Sequence, residues 1–275
     1  MAMTTLYIGS KNETNLSLPC WRSKYAISKT KSKMTTTTFT KSVRISGAIL
    51  LSALLASCMP CEKGSGEVLQ ESRPLEAFSS VEVRCPVNVF ISQNHFPTQA
   101  TVKAQKNIAD LLSIEVENGV LTIDSDDCFQ TKEVVEVYLN TERVEGLAVY
   151  GSGDIHGLTD LLGGTLKMKV KGSGDITAEG TYRHIQADIQ GSGDIRFNGK
   201  ADRLEVTVKG SGDFKGQNMT AKSTSVKISG SGDAFVNAEE FLEASVAGSG
   251  DVRYTGAPRD SSFSVKGSGN IRPMR

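Results

Sequence analysis

Ile189-Gln190-Gly191-Ser192-Gly193-Asp194-Ile195-Arg196-Phe197-Asn198-Gly199-Lys200 is one unit of a repeat that decides the architecture of this chain. Its Gly-Ser-Gly-Asp centre recurs from Gly151, Gly172, Gly210, Gly230 and Gly248, and a variant, Gly-Ser-Gly-Asn, begins at Gly267. Successive copies are 21, 19, 19, 20, 18 and 19 residues apart. A period near twenty signals a solenoid, in which each unit buries its apolar face only by stacking on the next. Two residues before each copy stand Val149, Val170, Ile189, Val208, Ile228, Val246 and Val265, all β-branched. Four before stand Leu147, Met168, Ala187, Val206, Val226, Ala244 and Phe263, and the position between is mostly polar (Lys169, Asp188, Thr207, Lys227, Ser245, Ser264). That period of two is a strand with one buried face. Directly after the motif, Ile155, Ile176, Ile195, Phe214, Ala234, Val252 and Ile271 open a second inward-facing strand.

Each unit therefore reads as strand, tight corner, short strand and a looser return such as Phe197-Asn198-Gly199-Lys200. The corner glycines are expected to supply positive φ. Coils stacked about 4.8 Å apart place like residues over like. The fold class expected is all-β: a parallel β-solenoid or β-helix of about 19-residue coils with an N-terminal β capping region. Propeller blades need about 40 residues each; an antiparallel stack of hairpins is the alternative.

Upstream of the array the same period continues less regularly. Val81, Val83, Val87, Val89 and Ile91 alternate around Cys85-Pro86, and Ile114 to Ile123 reads as a hairpin turning at Asn118-Gly119. Val135 to Leu139 is a further strand, and Lys106 to Leu112 a helical turn. The organisation expected is an N-terminal β region over 75–146 that caps the first coil, and a solenoid over 147–275.

Residues 1–33 are polar, basic and aperiodic, and are read as an extension preceding the true start at Met34. From Met34 the chain has the layout of a signal peptide: Lys41 and Arg44, an apolar run from Ile45 to Ala56, then Leu55-Ala56-Ser57-Cys58. The run is too short to span a bilayer at about 1.5 Å per residue. Its end is similar to a lipoprotein lipobox. That resemblance implies cleavage after Ser57, lipidation of Cys58 and a tether over 58–74; an ordinary secretory signal is the plainer alternative. The 31 basic and 31 acidic residues cancel in the whole chain. Eight basic residues and one acidic residue precede Cys58, leaving 23 against 30, a net −7. An acidic body does not suit nucleic acid, whose binding rests on neutralising phosphate; membrane contact is expected through lipid, which needs more than one acyl chain to hold stably.

Beyond Cys58 the cysteines are Cys61, Cys85 and Cys128. Cys85 and Cys128 either pair, since both lie in strand-like stretches, or are separate buried thiols. Cys58-Met59-Pro60-Cys61 contains the lipid site, and no Cys/His spacing suits zinc.

The Gly-Ser-Gly-Asp array, the segment Asn118-Gly119-Val120-Leu121-Thr122-Ile123 and the later Gly256-Ala257-Pro258 with Gly267-Ser268-Gly269 resemble the auto-transporter adhesin head GIN domain family over roughly residues 75–272. The members are secreted or lipid-anchored proteins of Bacteroidetes-type bacteria. The resemblance implies β-helical coils and an envelope location, at the outer membrane or cell surface. It carries over no catalytic residue.

Asp154, Asp175, Asp194, Asp213, Asp233 and Asp251 are expected to form a column. The favoured role is structural, each carboxylate accepting backbone N–H groups at its corner. Calcium on the same six aspartates is the weaker alternative, because oxygen ligands suit a hard cation; clustered-acid catalysis is the weakest. Two charges about 4.8 Å apart repel by only about 0.9 kcal/mol in water, so an exposed column needs no cation. Asn270, in the seventh copy, keeps the accepting oxygen and drops the charge. No cofactor is therefore expected.

Other chemistry is sparse. His95, His156 and His184 have no ligand spacing, and Ser152, Ser173 and Ser192 recur in every unit, whereas a nucleophile needs one unique base beside it. Strands rather than a helix follow the glycines, which excludes a phosphate loop. Lys169, Lys171, Lys209, Lys227 and Lys266, with Tyr150 and Tyr254 nearby, make either a face for acidic glycan or a solubility device. Glu239, Glu240, Arg253, Arg259 and Asp260 form the one non-repeated charged cluster on which a polysaccharide-acting enzyme would rest. The reading reached is a non-enzymatic, lipid-anchored envelope protein presenting a rigid β-solenoid surface for adhesion or envelope interaction, with a glycan or an extracellular-matrix component as the kind of ligand such a surface would take. A polysaccharide-acting β-helix enzyme and a purely structural spacer are the alternatives.

Overall fold

The computed structural model describes residues 61–274, which lie within one compact unit, Cys58–Arg275. The expectations for 1–33, for the signal over 34–57 and for Cys58 fall outside the described residues.

Long strands run from just after one Gly-Ser-Gly-Asp up to the next: Ile176–Ile189, Ile195–Val208, Phe214–Ile228 and Ala234–Gly248, the last reaching the first glycine of the following motif. Each pairs in parallel with its successor, so that Ile176 faces Ile195, Ile195 faces Phe214, Phe214 faces Ala234 and Ala234 faces Val252. This is the parallel solenoid, and the hairpin alternative falls for the repeat region. Inside, the column of Val149, Val170, Ile189, Val208, Ile228 and Val246 is buried, as is that of Ile155, Ile176, Ile195, Phe214, Ala234 and Val252. Burying each such side chain contributes about 1.5–3 kcal/mol. The alternation slips once per coil. Tyr182 and Ile185 both face the core with Arg183 and His184 outside, as do Ala201 and Leu204 around Asp202 and Arg203. That two-residue outward step turns the chain from one face of the coil to the next. The uneven spacings are absorbed in the returns, where register shifts between Arg196 and Gly199, Lys215 and Thr220, and Ala221 and Ser223.

The corner glycines act differently from the expectation. Of those in the seven motifs, Gly267 alone has a positive φ, 133°. What the others require is close approach: a Cβ on Gly193 would lie 2.0 Å from the carbonyl oxygen of Gly174, and one on Gly191 2.0 Å from that of Gly172. The rungs pack backbone on backbone at this edge, which leaves no room for a side chain.

The stack begins before the first Gly-Ser-Gly-Asp. Ser80–Val83 pairs in parallel with Gly146–Val149, and Asn88–Gln93 with Asp154–Gly157. Arg84-Cys85-Pro86-Val87 thus makes the first corner without glycine. Over that rung lie Val120–Ser125 and Glu136–Thr141, still parallel. The pairing then becomes antiparallel: Leu112–Glu117 on Val120–Ser125, Gln99–Gln105 on Glu136–Thr141, and Val68–Pro74 on Gln99–Gln105. These ribbons cap the core. The hairpin turns at Asn118 (φ 52°) and Gly119 (φ 77°), the pair of positive values a two-residue type I′ turn needs. Lys106–Ala109 is a single helical turn that buries Ile108 and Ala109.

Two expectations need correction. The stretch 58–74 is not simply a tether, because Glu62–Lys63 pairs with Phe129–Gln130 and Val68–Pro74 is the outer strand of the cap. The disulfide joins Cys61 to Cys128, not Cys85 to Cys128. Cys85 points inward at the first corner, buried with Sγ 3.8 Å from the Ile123 carbonyl oxygen, whereas Cys128 is exposed beyond the end of Val120–Ser125. The alternation that places Cys85 in the core keeps it from reaching Cys128.

Candidate functional site

The aspartates do form a column, and its hydrogen bonds run between rungs. The N–H of Asp175 donates to Oδ1 of Asp154 at 2.8 Å, and those of Asp194, Asp213, Asp233 and Asp251 donate to the aspartate one rung earlier at 2.7–2.8 Å. The Asn270 N–H closes the ladder on Asp251 at 2.9 Å. Each carboxylate thus satisfies the next corner, not its own as an Asx turn would. The main chain reciprocates: the Ile155 N–H donates to the Asp175 carbonyl and that of Ile176 to Asp194, both at 2.9 Å.

A row of cations runs beside this column at the position two residues on, in Arg196, Lys215, Arg253 and Arg272. Lys215 pairs with Asp194, Arg253 lies 3.4 Å from Asp251 and 3.9 Å from Asp233, and Arg272 lies 3.2 Å from Asp251. Burial alone would raise the Asp251 carboxyl; hydrogen bonds from Asn270 and Arg253 and the Arg272 charge outweigh it and hold the group below its ordinary value. Among the described residues no group of three or more His, Cys, Asp or Glu side chains is arranged to hold a metal ion.

A second feature lies on the outer face of the coils. A groove of about 330 Å³ is lined by Arg203, Glu205, Ser223, Ser225, Lys227, Phe241 and Glu243, among others. These residues are brought together by register: Arg203 faces Ser223 and Ser223 faces Phe241, while Glu205 faces Ser225 and Ser225 faces Glu243. Glu205 is the hub. Arg203 Nη2 lies 2.6 Å from Oε1, His184 Nε2 lies 3.5 Å from the same oxygen, and Gln186 donates to Oε2 at 3.2 Å. Desolvation pushes the Glu205 carboxyl up; the Gln186 hydrogen bond and the Arg203 and His184 charges prevail, leaving it ionised below the usual carboxylate range. Ser225 Oγ is 3.4 Å from Glu243 Oε2. Lys227 and Phe241 are exposed at the rim.

The other candidates scatter. His95 is exposed, 4.0 Å from Glu142, and His156 stacks on Phe90, which stacks on Tyr138. Tyr150 lies between Arg84 and Lys169, each 5.8 Å from its ring centre. Ser152, Ser173 and Ser192 are exposed at successive corners, and Lys171, Lys209 and Lys266 are exposed beside the strand ends. The cluster proposed for catalysis comes together only in part: the Arg259 N–H donates to the Glu240 carbonyl at 2.9 Å and Asp260 faces Phe241, so Glu239, Glu240, Arg259 and Asp260 lie on neighbouring rungs, while Arg253 is engaged with the aspartate column and lies over Phe235, 5.4 Å from its ring centre. Sequence reading missed Arg203, Glu205, Phe241 and Glu243. Their spacing from the next motif is regular, Arg203 in register with Ser223 and Phe241 and Glu205 with Ser225 and Glu243, but the residue type changes at every rung, so a repeat read from identity does not mark them.

The parallel stacking and the aspartate ladder define a repetitive β-solenoid scaffold. The family model described as putative auto-transporter adhesin, head GIN domain, matches residues 77–258, and the chain belongs to that family. Among solved structures, a putative adhesin of Bacteroides fragilis is similar at 24% identity and TM-score 0.74, covering 77% of this chain and 99% of its own. A putative adhesin of Parabacteroides distasonis aligns at 22% identity and TM-score 0.61, over 78% of this chain and 100% of its own. A second protein of that organism, described as a putative lipid binding protein, aligns at 23% and 0.57 over 78% and 100%. At these identities the likeness is one of fold. No curated protein matches the sequence.

Proposed function

We propose that this is a non-enzymatic, lipid-anchored cell-surface protein that binds glycan along the outer face of its solenoid. The observation that carries the reading is the composition of the groove. Arg203 and Glu205 satisfy one another, while Ser223, Lys227, Glu243 and the exposed ring of Phe241 offer hydroxyl, cation, carboxylate and apolar edge toward solvent. Such a mixture recognises sugar hydroxyls and acidic substituents. Glycoside hydrolysis would need a carboxyl held protonated opposite an ionised one, whereas, against desolvation, Gln186, Arg203 and His184 hold Glu205 ionised. Membership of a family described as adhesin supports the same class of role.

Attachment is assigned to Cys58. Cys61 lies three residues beyond it and is bonded to Cys128, so acyl chains on Cys58 would hold the capped end within about 11 Å of a membrane. A disulfide at this place suits an oxidising, exported location.

Binding to an array of neutral and acidic oligosaccharides tests the glycan reading. Retention of a glycan class that falls at least about tenfold in Lys227→Glu or Phe241→Ala supports it; no retention by the wild-type protein refutes it in favour of a spacer. Cleavage of a polysaccharide, lost in Glu205→Gln, would replace it with an enzyme. Metabolic lipid labelling of wild type against Cys58→Ala tests the anchor.

A further inference from the structure

Among the described residues the stack is capped at one end and carries an unpaired strand at the other. The strand Asp260–Gly267 pairs with Ala234–Gly248 on one side and, among the described residues, with nothing on its other side. All eight of its residues are exposed, and the inward positions show what that costs: Phe263 is 44% and Val265 46% exposed, where Ala244 and Val246 one rung earlier are 1%. Tyr254 and Phe263 lean on each other at 5.7 Å, prolonging an apolar core into solvent. Unpaired edges of this kind recruit another strand. The strand at the opposite end, Val68–Pro74, carries the usual protection, a proline and an internal Glu71–Arg73 ion pair at 3.4 Å. Asp260–Gly267 has neither.

We propose that this edge pairs with the same strand of a second copy, antiparallel about a two-fold axis at Phe263. Residues of a strand turn their N–H and C=O alternately to its two sides. The Ser268 N–H donates back to Gly248 at 2.9 Å, so the even-numbered residues face the preceding rung. Ser261, Phe263 and Val265 turn theirs to the open edge. An antiparallel partner centred on Phe263 sets Phe263 against Phe263 and Ser261 against Val265 as hydrogen-bonded pairs, all on the core face. On the outer face it sets Ser262 against Ser264 and Asp260 against Lys266, twice.

Neither Asp260 nor Lys266 has an ion-pair partner within the chain among the described residues, although both are charged and exposed. A parallel in-register partner would oppose Asp260 to Asp260 and Lys266 to Lys266, which is unfavourable. The charge order of the strand therefore selects the antiparallel dimer over a parallel one, and because the same edge is used by both copies the contact is closed, with the two capped ends facing apart.

Sedimentation velocity of the full chain in mild detergent tests the pairing. The expected species is a dimer; Lys266→Asp weakens association at least about tenfold by turning two attractions into repulsions, and the double variant Asp260→Lys with Lys266→Asp restores it. Independently, oxidised Phe263→Cys yields a reducible covalent dimer, because paired Cα atoms there lie within disulfide reach; Ser245→Cys, one rung in, does not. A monomeric wild type, a dimer indifferent to Lys266→Asp, or Phe263→Cys that fails to cross-link overturns the proposal. A circular dichroism melt verifies that each variant is folded.

Discussion

Gly193→Ala tests why the repeat uses glycine. The added methyl would sit 2.0 Å from the Gly174 carbonyl oxygen, 2.8 Å from its carbon and 2.9 Å from the carbonyl carbon of Ser173, all backbone atoms of the preceding rung. Reaching ordinary contact means opening the rungs locally by more than about 1 Å. The bonds that span this gap, Asp194 N–H to Asp175 Oδ1 at 2.7 Å and Ser192 N–H to Gly172 at 3.0 Å, would then exceed hydrogen-bond reach of about 3.5 Å. Two lost bonds at about 1 kcal/mol each, with overpacking of about 1–3 kcal/mol, predict a loss of about 3–5 kcal/mol. Ser192→Ala, exposed one residue away, should stay within about 0.5 kcal/mol of wild type. Gly193→Asn separates the two explanations of a glycine. Asparagine tolerates left-handed backbone, so it would rescue a conformational requirement but not a steric one; here it should cost at least as much as alanine. Urea unfolding followed by circular dichroism gives the magnitude. Hydrogen exchange at the Asp194 and Asp213 amides gives the location, since long repeat arrays need not unfold in one step. Gly193→Ala within 0.5 kcal/mol of wild type, or tolerance of asparagine alone, would refute the close-approach argument.

Thr224 is fully buried with Oγ1 unpartnered, in a column otherwise filled by Leu166, Ile185, Leu204 and Leu242, so Thr224→Val should stabilise by about 1–2 kcal/mol in the same urea assay. Asp194→Ala should cost about 1–2 kcal/mol by stranding the Asp213 N–H, whereas Asp194→Asn, which keeps the acceptor, should cost less, and thermal melts with and without chelator should coincide; a large drop on chelation would restore the calcium reading. Reducing Cys61–Cys128, which closes a separation of 67 residues, should lower stability by about 2–4 kcal/mol, and Cys61→Ser should reproduce the effect in the absence of reductant. Because the Asp251 carboxyl is depressed in the folded chain, its contribution is complete above the unfolded value near 3.9 and disappears as pH falls through its own lower pKa; acid titration of stability should show this component flattened in Asp251→Asn.

What the sequence made legible divides along the coil. Around the corner every rung obeys the same backbone spacing, so the Val149-to-Val265 column, the aspartate column and the parallel stacking follow from residue identity and period alone. The return obeys no such constraint. An extra residue near Gly216 and an outward step of three residues at Glu239-Glu240-Phe241 are accommodated by register shifts. The groove lies past them, where Arg203, Ser223 and Phe241, and Glu205, Ser225 and Glu243, stand in unbroken register but change type at every rung. Period-based reading discards such positions as noise. The first rung was hidden for a related reason, since Arg84-Cys85-Pro86-Val87 makes its corner without the glycines that mark the others. It can do so because the strands stacked beyond it turn elsewhere: Val120–Ser125 and Glu136–Thr141 are separate strands, and no next Gly-Ser-Gly-Asp edge presses against it from that side. Glycine is required only between two corners in backbone contact, which makes the repeat a record of contact between rungs and its interruptions a guide to where the surface is free to bind.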